Sequence, residues 1–209
     1  MIRNLLLDWS GTLADDLGPV LEATNAIFRH YGRKELALEE FRHAFRLPFS
    51  GFYAELLPEA TGEGLEELYE RFFHGLNERV DLLPGAREFL CHCGQCGIRM
   101  FLLSTIKPSH FEKQAARLGV RGVFEHAYVG IHDKREKIRE ILIHHGLDPA
   151  ETAFVGDMVH DIETARHGGV LDIAVLTGFD PVEKLLPARP SVICRDLSAL
   201  KPLLAVCRT

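Results

Sequence analysis

The order of short β-type runs and helical patterns along this chain, with one long gap in that order, constrains the fold more than any other feature. Runs of branched and aromatic apolar residues predict strands at Ile2–Asp8, Ile98–Ser104, His126–Gly130, Thr152–Gly156, Asp172–Leu176 and Ser191–Cys194. Between them lie amphipathic segments such as Lys134–Gly146, where Ile138, Ile141 and Leu142 recur at helical spacing before a stop at Gly146. Alternation of this kind predicts an α/β fold with a parallel sheet covered on both faces. From about Asp16 to Val80 nothing reads as a strand. Leu65, Leu68, Tyr69, Phe72 and Leu76 form one helical stripe there, and Val20, Ile27, Phe28 and Tyr31 another. Breakers at Gly32, Pro48, Gly51, Pro58, Gly62 and Gly64 cut this stretch into about four helices. The plainest organisation is a helical module, residues 16–80, inserted into an α/β core made of residues 1–15 and 81–209. Two short connections without core contacts, at about Asp15 and Asp81, would make that module a hinged lid. No internal repeat or low-complexity segment is visible.

Composition excludes several classes. Hydrophobic residues make up 46% and charged residues 26% of the 209, which suits a globular chain and not a disordered or fibrous one. A net charge of −6 repels phosphate backbones, so a nucleic-acid-binding face is not expected. No apolar run approaches the ~20 residues that span a bilayer, so no membrane partner is expected. Only three leucines precede Asp8 at the N-terminus, too few for a signal-peptide core. Five cysteines are an odd number in a chain large enough to fold without staples, and a cytoplasmic location is expected.

The chemistry-bearing residues sit at predicted strand ends. The first strand closes in Leu7-Asp8-Trp9-Ser10-Gly11-Thr12-Leu13, and a later one in Phe154-Val155-Gly156-Asp157, followed by His160-Asp161. Ligands of open α/β sheets bind beyond the carboxyl ends of strands. Asp8 and Asp157 on adjacent ends would bring two hard oxygen ligands to one Mg²⁺. A third strand ends in Ser104-Thr105, a source of hydroxyls, and Lys134 opens a later helix.

These pieces, in this order, resemble the haloacid dehalogenase superfamily of aspartate-nucleophile phosphohydrolases. The family's Asp-x-Asp-Gly-Thr-Leu motif is DWSGTL here, its strand-closing Ser or Thr is Ser104 in MFLLST, and its Gly-Asp-x-x-x-Asp motif is GDMVHD. The inserted helices and the segment DIETARHGG are similar to the phosphoglycolate-phosphatase-like branch, and the likeness covers essentially the whole chain. The resemblance implies a Rossmann-like parallel sheet with an inserted α-helical cap, and Mg²⁺-dependent hydrolysis of a small phosphorylated metabolite. It implies Asp8 as the nucleophile that becomes a phosphoaspartate, and Asp8, the Ser10 carbonyl and Asp157 as metal ligands, with Asp161 supporting through water. Ser104 and Lys134 would hold the phosphoryl oxygens, and backbone amides around Ser10, Gly11 and Thr12 would complete the phosphate cradle. Lys137, one turn beyond Lys134, competes for the lysine role.

One departure from the pattern matters most. The second aspartate of the first motif, the family's general acid and base, is Ser10, whose hydroxyl is a poor substitute for either step. Two other readings follow: a degenerate protein that binds phosphate or a phosphometabolite without turnover, and a C–P hydrolase resembling phosphonoacetaldehyde hydrolase, whose motif reads DWAGT. The latter needs a cap lysine for a Schiff base, and Lys34 alone lies between Asp15 and Val80.

Plainer roles compete at several positions. Asp161 could simply cap a helix, Thr105 could be a turn residue, and Lys107 a solvated helix-entry residue. Cys91, Cys93 and Cys96 spread around one helix, which favours core and surface thiols over a zinc site. His144 and His145 point to different faces, and His160 is expected to face solvent. Phe45, Phe49, Phe52 and Tyr53 read as the core of the helical module before they read as a pocket wall. The segment Leu47–Gly51 is the loop expected to touch substrate.

Overall fold

The computed structural model describes residues 1–60 and 62–204. β1 (Asn4–Leu7) leads through a tight turn to β2 (Ala14–Asp15), then to α1 (Leu17–His30), α2 (Leu38–Ala44), α3 (Phe49–Leu56) and α4 (Gly62–Phe73). The chain returns at β3 (Asp81–Leu82) and alternates through α5 (Ala86–Gln95), β4 (Arg99–Leu103), α6 (Pro108–Arg117), β5 (His126–Tyr128) and α7 (Lys134–His145). It continues through β6 (Thr152–Gly156), α8 (Val159–Gly168), β7 (Leu171–Val175), α9 (Val182–Leu185), β8 (Val192–Cys194) and α10 (Leu197–Leu200). The main sheet is parallel, in the order β5-β4-β1-β6-β7-β8. The last five residues of the chain, the tail of the expected core segment, lie outside the described residues.

The period of the strand explains the layers. β1 is buried along its length, with Leu5 and Leu7 entering one apolar layer and Leu6 the other. The first layer gathers Phe89, Phe111 and Ala115 from α5 and α6, and the second gathers Ile138, Ile141 and Leu142 from α7. α7 starts where the Asp133 side chain accepts the Arg135 N–H, and stops where Gly146 takes a left-handed φ of 60°. No helix among the described residues is long and apolar enough to cross a membrane.

The strand-free stretch folds as the expected four helices, among the described residues, around Phe28, Phe41 and Phe52. Two expectations about it are corrected. Pro48 begins α3 rather than a loop, so Ser50 and Gly51 of the segment expected as a loop are helical. Gly64 likewise lies inside α4. The connections are not bare either: Ala14 and Asp15 pair antiparallel with Leu82 and Asp81, tying entry to exit. Nor does the module lack core contacts. Met158 and Phe179, from beyond β6 and β7, belong to its apolar cluster. Lys184 donates to the carbonyls of Arg42 (3.2 Å) and Phe45 (2.7 Å), and Gln114 of α6 donates to Asn77 (2.7 Å).

Candidate active site

Register places three strand ends together. Leu7 pairs with Leu102 on one side and with Val155 on the other, so Asp8, Ser104 and Asp157 leave the same edge of the sheet. Just past β1 the chain turns sharply: the Leu13 and Ala14 amides both donate to the Trp9 carbonyl at 2.8 Å. Trp9 is fully buried, and its indole N–H donates to Gln114 of α6, which fixes the turn from below. Gly11 adopts φ +70° at the apex, and a Cβ there would stand 2.5 Å from Asp157 Oδ2. Only glycine lets the two segments approach so closely.

Asp8, Asp157 and Asp161 are all buried, and one oxygen from each lies within 4.8 Å of the others. Lys134, fully buried at the first position of α7, reaches Asp8 Oδ2 at 3.1 Å and Asp161 Oδ1 at 2.5 Å. Asp161 Oδ2 also accepts the amides of Asp157 (3.1 Å) and Met158 (3.0 Å), so this carboxylate shapes the turn and aims the lysine. Asp157 accepts the Thr12 hydroxyl at 2.7 Å on Oδ1 and the Phe179 amide at 2.7 Å on Oδ2. Asp8 Oδ1 is buried without a hydrogen-bond partner. Lys137 instead pairs with Glu140 at 2.6 Å, away from this cluster.

Burial sets the electrostatics. It pushes the Asp8 carboxyl up to about 6, with Lys134 opposing and Asp161 adding to the rise. Asp157 is held well above the ordinary carboxylate range by burial, then by repulsion from Asp161 and Asp8. For Lys134 burial alone would favour the neutral amine, but Asp161 and Asp8 outweigh it and hold the ammonium above its usual pKa. Three buried carboxylates against one ammonium leave uncompensated negative charge. That imbalance fits a site for a hard divalent cation.

Other expected residues fare differently. The Ser104 hydroxyl, at the edge of the cluster, accepts the Ile106 amide at 3.3 Å and is almost fully buried. Thr105, a candidate substrate-binding hydroxyl for which a turn role competes, lines the cavity beside Asp8. The Gly11 amide donates to Ala14 O and the Thr12 amide to Trp9 O, so neither is free to cradle a phosphate as expected. His160 does not face solvent: it is buried, and its Nε2 lies 3.0 Å from Asp133 Oδ1, which steadies the N-terminus of α7 behind Lys134. Phe52 and Tyr53 are buried in the core of the helical module, as expected, with Phe45 and Phe49 packed against it, and Phe45, Phe49 and Tyr53 also line the cavity. Lys107 is not merely solvated; it pairs with Glu70 of α4 at 3.2 Å. Cys91 is exposed and Cys93 buried, so these thiols do not converge.

The residue that sequence reading missed is Asp16. It is 2% exposed and lines the same cavity as Asp8 and Ser10. Although it stands at the N-cap of α1, its side chain does not cap that helix. Oδ1 accepts the Gly11 amide at 3.1 Å instead, and the Ser10 side chain lies beside the carboxyl. Burial pushes it up to about 7, with Ser10 opposing and Asp8 adding to the rise. The visible signal was an Asp at a helix start only five residues after the turn glycine, a distance that a tight turn folds back onto itself.

The family model of haloacid dehalogenase-like hydrolases matches residues 5–175. The chain is 25% identical to a phosphoglycolate phosphatase of Synechococcus elongatus, over 95% of each chain. It is 27% identical to a 5'-nucleotidase of Pseudomonas aeruginosa, over 96% of this chain and 95% of that one. Among solved structures, a haloacid dehalogenase-like family hydrolase of Streptococcus pneumoniae superposes with a TM-score of 0.84 at 20% identity, covering 97% of this chain and 98% of that one. CbbY of Rhodobacter sphaeroides, in complex with phosphate, superposes with a TM-score of 0.79 at 19% identity, covering 96% of each.

Proposed function

The chain belongs to the haloacid dehalogenase-like hydrolase family, and from that premise we propose that it is a Mg²⁺-dependent phosphatase of a small phosphorylated metabolite, working through a phosphoaspartate on Asp8. The observation that carries this reading is the Asp8 carboxylate: Lys134 holds Oδ2, and Oδ1 is buried without a partner. An oxygen so placed is oriented for attack and has no hydrogen bond to break first. Phosphatase and nucleotidase relatives that align over nearly the whole chain support the same reading.

Asp8 Oδ1 would form a bond to phosphorus as the ester P–O bond breaks. Lys134 would neutralise the phosphoryl oxygens, with the Ser104 hydroxyl beside them. Asp8 and Asp157 would hold Mg²⁺, with the Ser10 carbonyl as the third expected ligand. When bound, the ion supplies the positive charge that lets a phosphate dianion enter among carboxylates. Asp161 positions Lys134 through its ion pair. The proton for the leaving oxygen would come from Asp16 by way of the Ser10 hydroxyl, because Asp16 is a buried carboxyl that lines this cavity beside Ser10. Water attacking the phosphoaspartate would return its proton along the same path, and Asp8 would be regenerated. Residues 16–80 would act as the cap, with residues 1–15 and 81–209 as the core.

Phosphonate cleavage through a cap lysine has no support here, because the Lys34 side chain is 89% exposed on the outer surface, paired with Glu40. The binding-only reading rests on Ser10 alone. The deciding experiment is hydrolysis of p-nitrophenyl phosphate with Mg²⁺, with EDTA, and by Asp8→Asn. Turnover that needs Mg²⁺ and disappears in the variant supports the phosphatase; phosphate binding without turnover supports the binder.

A further inference from the structure

The cavity beside Asp8 has a volume of about 380 Å³, and away from the carboxylates its wall is largely apolar, built from Val20, Phe45, Tyr53, Leu65, Tyr69 and Phe73, with Thr24, Thr105 and His132 among its uncharged or weakly basic polar members. Lys107 is the one Lys or Arg among its described lining residues, apart from the buried reacting centre, and it is already paired. Glu70 Oε1 lies 3.2 Å from Lys107 Nζ, and Oε2 lies 3.2 Å from His110 Nε2. His110 is buried, and desolvation favours its neutral form. Glu66 adds another acid to the lining. A substrate carboxylate entering this space would lose its hydration and find its cationic partners occupied, which is strongly unfavourable. An alkyl or aryl group would bury its surface against the same wall, favourably.

We propose that the leaving group selected by this site is an uncharged, apolar alcohol or phenol of several carbons, and that Glu70 sets the preference by neutralising Lys107 and occupying His110 Nε2. This rests on the phosphatase reading above. It separates the chain from relatives that bear the name phosphoglycolate phosphatase, since phosphoglycolate carries a second anion where this cavity is apolar.

The test is a series of n-alkyl phosphates from ethyl to hexyl, together with phosphoglycolate. Leaving-group acidity hardly changes along the alkyl series, so the series isolates burial. kcat/KM should rise by about fourfold per added methylene until the cavity fills. Propyl phosphate, close in size to phosphoglycolate, should be the better substrate of the two. Glu70→Gln, which frees Lys107, should shift that ratio toward phosphoglycolate. A flat alkyl series, a wild-type preference for phosphoglycolate, or a ratio unmoved by Glu70→Gln would overturn the proposal. If no ester is hydrolysed, including p-nitrophenyl phosphate, the phosphatase reading is what fails. Calorimetric binding of the same compounds then decides: affinity that grows with chain length upholds the apolar pocket, and affinity that favours phosphoglycolate overturns it.

Discussion

The replacement of a carboxylate by Ser10 does not leave the site without one, because Asp16 folds back onto that hydroxyl. Asp16→Ser is therefore expected to lower kcat on alkyl phosphates by roughly 10²–10⁴-fold, the range general acid–base groups supply. Aryl phosphates, whose leaving groups depart unassisted, should lose far less. Ser10→Asp alone should gain little, since it crowds two buried carboxyls together. The double variant Ser10→Asp/Asp16→Ser should recover most of the alkyl-phosphate rate, because it only moves the carboxyl. Steady-state kinetics on one alkyl and one aryl phosphate check all three, and a double variant as poor as Asp16→Ser would remove Asp16 from the proton path. At a neighbouring position, Asp157→Ala should abolish Mg²⁺ binding measured by calorimetry while far-ultraviolet circular dichroism stays unchanged. Asp8 and Asp157 were legible in the sequence because each follows a strand end, where topology dictates location; Lys134 and Asp161 were named by the family resemblance, with Lys137 left as a competitor. Asp16 and His160 were not legible. Their roles depend on which way a side chain turns after a tight bend, and linear spacing does not encode that direction.

At the scale of elements, the helical stretch was legible as four helices because helical periodicity and breakers are local signals. Its docking was not, because Phe179 and Lys184 reach it from more than a hundred residues away. Lys184 donates to two carbonyls at the end of α2, and Phe41 and Phe45 pack on Phe179 with ring centroids 6.2 and 5.3 Å away. Phe45 and Phe179 both line the cavity, so these contacts form part of its wall. Lys184→Ala makes no direct change to the Asp8 cluster and should loosen this closure, while also removing the ion pair to buried Asp180 at 2.5 Å. The expected result is a higher KM with a smaller change in kcat, and faster amide exchange along α2. A drop in kcat with KM unchanged would mean that the contact serves something other than closure. Gly11 belongs to the same scale. Gly11→Ala places a methyl against Asp157 and Gly178, and should disable the site while the sheet stays folded.

For the whole molecule, clustering buried acids makes the metal-free fold sensitive to pH. Asp16 is raised to about 7 in the folded state, chiefly by burial. Its favourable contribution is complete at pH values below its ordinary 3.8 and is lost as pH rises through about 7. Buried His110 and His160, both shifted down by desolvation, act in the opposite direction near pH 6, so only a difference between variants isolates Asp16. In EDTA, the Tm of Asp16→Asn relative to wild type should climb between pH 5 and pH 8; a constant difference would show that Asp16 titrates normally. Adding Mg²⁺ should raise the wild-type Tm, because the ion binds only the folded cluster. The account as a whole turns on a covalent bond to one oxygen. Acid quenching of the enzyme during turnover of an aryl phosphate, followed by intact-protein and peptide mass spectrometry, looks for that bond directly. The account predicts a single phosphoryl adduct on the peptide that carries Asp8, absent in EDTA and absent in Asp8→Asn. Robust turnover with no adduct at Asp8, or an adduct on any other residue, would contradict it.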